Sequence, residues 1–300
     1  LSELTDWFYN ITGTLNLHNS SHQQKFWVNN GYLQNLTGKE IWPIRKLLEL
    51  SIFQLRKLKK KRAKNFARCV LLNTAQWALD SQKRTPSSQE FKNKILHNFV
   101  EMTSGIKTLS EMACKIETPS LSISALKPIC LHCPSDTLGR YIFKNRTESP
   151  KLILTSPPYP GVHVLYHRWQ VRGRQETSAP YWISGTLDGN GEVYYTLGNR
   201  DQKGLTDYYE NLQKSFSSVA EISSPKTTVV QMVAFSEPSW QLPKYLKAMR
   251  KSGFREVKYP SMANLKDGRI WRKVPNRKWH ANFKGNLRSS KEVVLFHRLI

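Results

Sequence analysis

No apolar run in this chain is longer than a β-strand, so a membrane-spanning helix, which needs about 20 consecutive apolar residues, is not expected. Leu1 to Asn10 has no basic stretch followed by an apolar one, so no secretory leader is expected, and the Asn-x-Ser/Thr patterns at Asn10, Asn19 and Asn145 read as chance matches. There is no internal repeat and no long low-complexity tract. Carboxylates are scarce: 22 Asp and Glu stand against 46 Lys and Arg, a net charge of +24. That excess is far beyond what solubility needs and implies a polyanionic partner, nucleic acid before an anionic membrane surface. Cysteine is also scarce, with four residues, Cys69, Cys114, Cys130 and Cys133. Cys130 and Cys133 have metal or redox spacing, but a structural zinc site needs four ligands. No second pair exists and Cys114 would have to be recruited, so ordinary reduced thiols, and no metal, are expected.

What is present suffices for folding. Hydrophobic residues make up 39% of 300, enough for one large domain or two ordinary ones. Residues 1–38 are polar with scattered aromatics and read as an irregular N-terminal segment. Residues 39–145 read as a helical, basic region. Ile41, Ile44, Leu47, Leu48, Ile52, Leu55 and Leu58 recur at helical steps, predicting one amphipathic helix from Lys39 to Lys64. Its end carries Lys57, Lys59, Lys60, Lys61 and Arg62, either a solvated helix end or a phosphate-contacting patch; the overall charge favours the patch. A second helix is expected over Phe66–Leu79 and a third over Ser88–Met102, the latter with a Ser-x-x-Glu start at Ser87 and Glu90. Leu121 to Leu126 alternates and reads as an edge strand or loop.

Residues 146–300 change to strand–helix alternation. Strands are predicted at Leu152–Leu154, Thr227–Phe235, Gly253–Lys258 and Lys291–His297, and helices at Asp207–Ala220 and Gln241–Ser252. Trp271 to Asn286 reads as the connection into the last strand. The pattern predicts an α/β sheet covered on both faces.

The most informative segment is Lys151-Leu152-Ile153-Leu154-Thr155-Ser156-Pro157-Pro158-Tyr159. Two prolines cannot continue a central strand, because neither has an N–H for the ladder. The chain must stop pairing at the strand's C-terminal end, the edge at which open α/β sheets bind ligands. The stiff loop presents acceptors, Ser156 Oγ and the proline carbonyls, beside the flat face of Tyr159. Such a cluster suits an exocyclic amine on a planar base.

This segment resembles the Ser-Pro-Pro-Tyr catalytic motif of the DNA methyltransferases that modify cytosine N4 or adenine N6. The stretches Gly161–Thr177, Val229–Ser236 and Trp271–Trp279 are similar to one bacterial group of that family. The likeness is close over the second half and looser over the first. It implies an α/β fold, part of a Rossmann-like methyltransferase sheet preceded by a helical basic region, with residues 39–145 as a candidate DNA-recognition part. It also implies S-adenosylmethionine as cofactor, double-stranded DNA as partner, and a bacterial cytoplasmic, nucleoid-associated setting. The roles it implies are Ser156 and the Pro157 carbonyl as acceptors for the amine, Pro158 as the shaper of the loop, and Tyr159 as a stacking face. Neither the Ser156 nor the Tyr159 side chain is expected to be core. Ser at the first position leans towards cytosine N4. Arg168, Arg172 and Arg174 are candidates for DNA contact or for salt bridges to residues such as Glu176. His163 and His167 read more readily as surface or core histidines than as proton carriers.

The family holds its cofactor with an Asp/Asn-Pro-Phe-x-Gly-x-Gly turn, and this chain has none. Asp188-Gly189-Asn190-Gly191 reads instead as a tight turn. The chain therefore resembles a C-terminal half, and the cofactor-binding part is expected on a second polypeptide or upstream in a precursor. Two other readings stand beside this one: a DNA-binding subunit without chemistry, and an RNA methyltransferase.

Overall fold

The structure is a computed structural model, and it describes residues 2–19, 25–80, 82, 84–115, 130–142, 149–160, 168–172, 175–188, 197–198, 202–273 and 291–300. Leu121–Leu126, His163, His167, Arg174, Gly189–Gly191 and most of the stretch from Trp271 to Asn286 lie outside the described residues.

In chain order the first helices are α1 (Ser2–Thr14), α2 (Lys25–Asn29), α3 (Trp42–Gln54), α4 (Lys61–Leu79), α5 (Ser88–Lys115) and α6 (Leu138–Ile142). There follow β1 (Leu152–Thr155), β2 (Trp169–Val171), β3 (Gln175–Thr177), α7 (Ala179–Ser184) and α8 (Gln202–Glu221). The last elements are β4 (Thr228–Ala234), α9 (Pro238–Lys251), β5 (Phe254–Glu256), β6 (Ile270–Lys273) and β7 (Lys291–Leu299). They form two compact units, each assembled from two stretches: residues 1–127 with 165–189, and residues 128–164 with 190–300.

The first unit is a helical body with a short hairpin. Its N-terminal segment is not irregular: α1 forms because Trp7, Phe8, Ile11 and, just beyond the helix, Leu15 share one buried side. Phe8 stacks on Phe99 of α5 at 4.3 Å, and Trp7 Nε1 donates to the Gln54 carbonyl at 3.0 Å. The single helix expected over Lys39–Lys64 is broken. A short 3₁₀ turn, Leu55–Lys57, follows α3, and Leu58 is extended, which keeps Leu55 and Leu58 in the core while the chain changes direction. Helix α5 starts as predicted, with the Ser87 N–H donating to Glu90 Oε2 at 2.7 Å and the Glu90 N–H to Ser87 Oγ at 3.2 Å. It runs well past Met102. Strands β2 and β3 pair antiparallel, and Asp80 and Asn35 tie them to the helices: the Gln170 N–H donates to Asp80 Oδ1 at 3.0 Å, and Asn35 Nδ2 to the Glu176 carbonyl at 2.7 Å.

The second unit is mixed α/β. Its sheet runs β1-β4-β7-β5, with β6 also on β7. β1 and β4 are parallel, with Ile153 opposite Val229, whereas β7 runs antiparallel to β4, β5 and β6. The segment expected to be only a connection thus contributes a strand at Ile270–Lys273. Val229, Val233, Val293 and Leu295 point to one face, where Tyr208, Leu212 and Phe216 of α8 and Leu242, Tyr245 and Met249 of α9 pack on them. Buried Gln231 on that face is satisfied by the Tyr245 hydroxyl and by Met249 Sδ. Coverage of both faces was expected; among the described residues both long helices of this unit lie on one. On the opposite face Leu152 and Leu154 remain 59% and 65% exposed. No helix among the described residues is long and apolar enough to cross a membrane.

His297 on β7 is fully buried, and neither ring nitrogen has a hydrogen-bond partner among the described residues. Desolvation lowers its pKa from 6.5 to about 4. Because the unfolded chain binds this proton first, stability falls as pH drops from about 6.5 to about 4, by about 3 kcal/mol from this group. The expected result in urea unfolding is that His297→Leu loses that much less stability than wild type between pH 7 and pH 4. Equal losses would show that His297 is not held neutral.

Candidate active site

The proline loop stands at the C-terminal end of β1, where the parallel neighbour β4 continues past the last pair, Thr155 with Gln231, to Ala234. Ser156 Oγ is exposed and donates to the Met232 carbonyl of β4 at 3.0 Å. Its proton is thereby committed to the backbone, and the oxygen lone pairs remain to accept an N–H. Pro157 is buried, and its carbonyl takes part in no hydrogen bond among the described residues. The Pro158 carbonyl is engaged, accepting from the Tyr208 hydroxyl at 2.8 Å. Tyr208 is fully buried, and desolvation pushes its phenol well above its ordinary value, so it stays a donor. One proline carbonyl therefore anchors the loop to α8.

Tyr159 departs from the expectation that its side chain stands clear of the core. It is half-buried against the second unit's apolar cluster, and its hydroxyl donates to Glu292 Oε2 at 2.8 Å. Glu292 is only 3% exposed, at the start of β7, opposite Ala234 of β4 and Arg272 of β6. Arg272 Nε donates to its other oxygen. Two donors thus satisfy a buried carboxylate beneath the loop. Nothing local in the sequence marks Glu292: flanked by Lys291 and Val293, it reads as a solvated strand end, 133 residues from Tyr159. Tyr208 and Arg272 were likewise not foreseen as site residues.

The basic run lies in the first unit. Lys57, Lys59, Lys60, Lys61 and Arg62 are all exposed, and none is in an ion pair among the described residues. Lys60 is the N-cap of α4 without a side-chain cap. Cations gathered at the positive end of a helix dipole are unfavourable there; the Glu3 carboxylate, which accepts from the Lys59 N–H at 2.7 Å, offsets part of this, and a further anion would offset more. Substituting these five by Gln is expected to reduce the slope of log affinity for duplex DNA against log salt by roughly one unit for each phosphate that is no longer neutralised. An unchanged slope would make the run merely solvated.

The arginines divide. Arg168 is paired with Asp188 at 2.6 Å in a mostly buried bridge. Arg172 donates to Glu40 at 3.1 Å on the surface, and its guanidinium lies 2.6 Å from where a Cβ on Gly38 would sit, so a larger residue there would displace the end of this flexible side chain. Cys69, Cys130 and Cys133 are free thiols, and among the described residues no three His, Cys, Asp or Glu side chains cluster for a metal.

Comparison with protein-family models, curated proteins and solved structures finds no match for this chain.

Proposed function

We propose that this chain is the catalytic-motif part of a split DNA amino-methyltransferase, acting on the exocyclic amine of a flipped base, cytosine N4 by preference. The observation that carries the reading is Ser156: an exposed hydroxyl at a strand's C-terminal end, its proton fixed on the Met232 carbonyl and its lone pairs open. The exocyclic nitrogen is a poor nucleophile because its lone pair is delocalised into the ring. Ser156 Oγ and the Pro157 carbonyl accept its N–H groups, favour a more tetrahedral nitrogen and turn the lone pair outward. Pro158, tied down by Tyr208, fixes the loop, and the exposed part of the Tyr159 ring offers a face to the base. The basic run supplies phosphate contacts, and Arg172 stands at the surface as another candidate.

The methyl donor would be S-adenosylmethionine: its sulfonium S–CH3 bond breaks as the N–CH3 bond forms, the sulfur leaves as the neutral thioether of S-adenosylhomocysteine, and the amine releases one proton to solvent. The described residues do not supply its site: no glycine-rich turn accompanies a strand end, and β1 pairs on one side only. This reading places the cofactor half on a second polypeptide or upstream in a precursor, which would continue the sheet beyond β1 and cover Leu152 and Leu154. The lack of a cofactor turn also favours a rival, a DNA-binding subunit without chemistry.

The chain alone is expected to show no micromolar binding of S-adenosylmethionine in calorimetry; tight binding would sink the split-enzyme reading. Supplied with a partner carrying an Asp/Asn-Pro-Phe-x-Gly-x-Gly turn, it is expected to methylate duplex DNA, with N4-methylcytosine identified by mass spectrometry. Transfer to RNA alone, or no transfer, would replace the reading with one of the rivals.

A further inference from the structure

Helix α9 carries a second, unassigned cationic feature. Trp240, Lys244, Lys247 and Lys251 are spaced four, three and four residues apart, which places them in one line along the helix. The three lysines are exposed and Trp240 half-exposed, while Gln241, Leu242, Tyr245, Ala248 and Met249 face the core. The helix contains no Asp or Glu. Among the described residues none of the three lysines is in an ion pair, whereas Arg269 and Arg272 of the same unit are paired with Glu256 and Glu292.

The aromatic end of the line is linked to the proline loop through Tyr209 and Tyr208. Helix α9 begins just after the C-terminal end of β4, the strand whose Met232 carbonyl holds Ser156. Tyr208, which holds Pro158, meets Tyr209 edge-on at 5.2 Å, and the Tyr209 hydroxyl donates to the Gln241 carbonyl at 3.4 Å. Trp240 Nε1 donates to Glu237 at 2.8 Å, fixing the indole, and Lys244 Nζ sits 5.0 Å from its ring centroid and 6.0 Å from that of Tyr209.

We propose that this line is a DNA-backbone track, with Lys244, Lys247 and Lys251 on successive phosphates of the strand that flanks the flipped nucleotide and Trp240 at the loop end. The proposal rests on the reading of the proline loop given above. Lys244 to Lys251 spans seven residues, about 10 Å along a helix, and three successive phosphates span two steps, about 7 Å of rise along one DNA strand, a difference that the flexible lysine stems can take up. Lysines are point charges without the guanidinium fork, so the track would hold position and not read sequence.

The test compares the intact chain with Lys244→Gln/Lys247→Gln/Lys251→Gln on a 20-base-pair mixed-sequence DNA duplex over a salt series. The slope of log affinity against log salt is expected to fall by about two to three units. A charge-matched control, Lys203→Gln/Lys214→Gln/Lys226→Gln, is expected to change it by less than one. Equal reductions in both variants, or none in the α9 variant, would overturn the track while leaving the loop reading standing. A reduction seen only on an RNA duplex would also overturn it. Failure of the wild-type chain to bind DNA at all would remove the loop reading and the track together. Because all three lysines are exposed, the α9 variant should keep the wild-type thermal midpoint, so a reduced slope would not reflect unfolding.

Discussion

Ser156→Ala is expected to lower methyl transfer by about 10²- to 10³-fold in kcat, with little change in affinity for DNA. The magnitude follows from the removal of one preorganised group aimed at a charge-developing atom, typically worth that factor. The effect belongs in kcat because the acceptor matters most as the amine nitrogen pyramidalises, not when the base is first bound. Stability should hold, since Ser156 is exposed and the Met232 carbonyl it leaves can be taken up by water. Tyr159→Phe is the informative contrast. It keeps the ring and removes only the donor to Glu292, so a fall in kcat matching that of Ser156→Ala would mean that loop geometry, not the Ser156 acceptor, sets the rate. The measurement is single-turnover transfer to duplex DNA by the chain with the proposed cofactor-binding part. Activity within twofold of wild type in Ser156→Ala would take Ser156 out of the mechanism.

The strands and helices around this loop were legible because they are periodic and local. The β-branched run at Thr228–Ala234, the apolar run before the two prolines, and the helical steps of Tyr208, Leu212 and Phe216 each announce their element. The Ser87–Glu90 start was legible for the same reason. What failed was non-local or masked by composition. Helix α1 lies in a segment that is polar as a whole, and its buried side is only three residues wide, so it reads as loop until Phe99 is known to lie opposite. The break at Leu58 is imposed by the need to bury that side chain, against a pattern that continues helically into the lysines. The open face of the sheet could not be seen in a strand that reads as apolar throughout, since Ile153 faces the core and Leu152 and Leu154 do not. At the site the tetrapeptide was legible but its foundation was not: Glu292, Tyr208 and Met232 come from three other elements.

Arg272→Ala should expose how much of that foundation is electrostatic, at an expected cost of about 3–5 kcal/mol in urea unfolding. Glu292 is 3% exposed while Arg272 is 48% exposed, so the two partners are not equivalent. Removing the arginine leaves a buried carboxylate with Tyr159 as its donor and no countercharge, the situation in which breaking an ion pair is most destabilising. Removing the carboxylate instead leaves a cation that can reach water. Glu292→Gln should therefore cost only about 1–2 kcal/mol, because the amide still accepts from the Tyr159 hydroxyl. The double variant Arg272→Ala/Glu292→Gln should be no less stable than Glu292→Gln alone, giving a strongly non-additive cycle. In the double variant the Tyr159 contact can persist, so methyl transfer should exceed that of Arg272→Ala even though two residues are changed. A cost below about 1 kcal/mol for Arg272→Ala, with additive energies, would place this pair among ordinary surface bridges. Tyr159 would then owe its position to packing against the core alone.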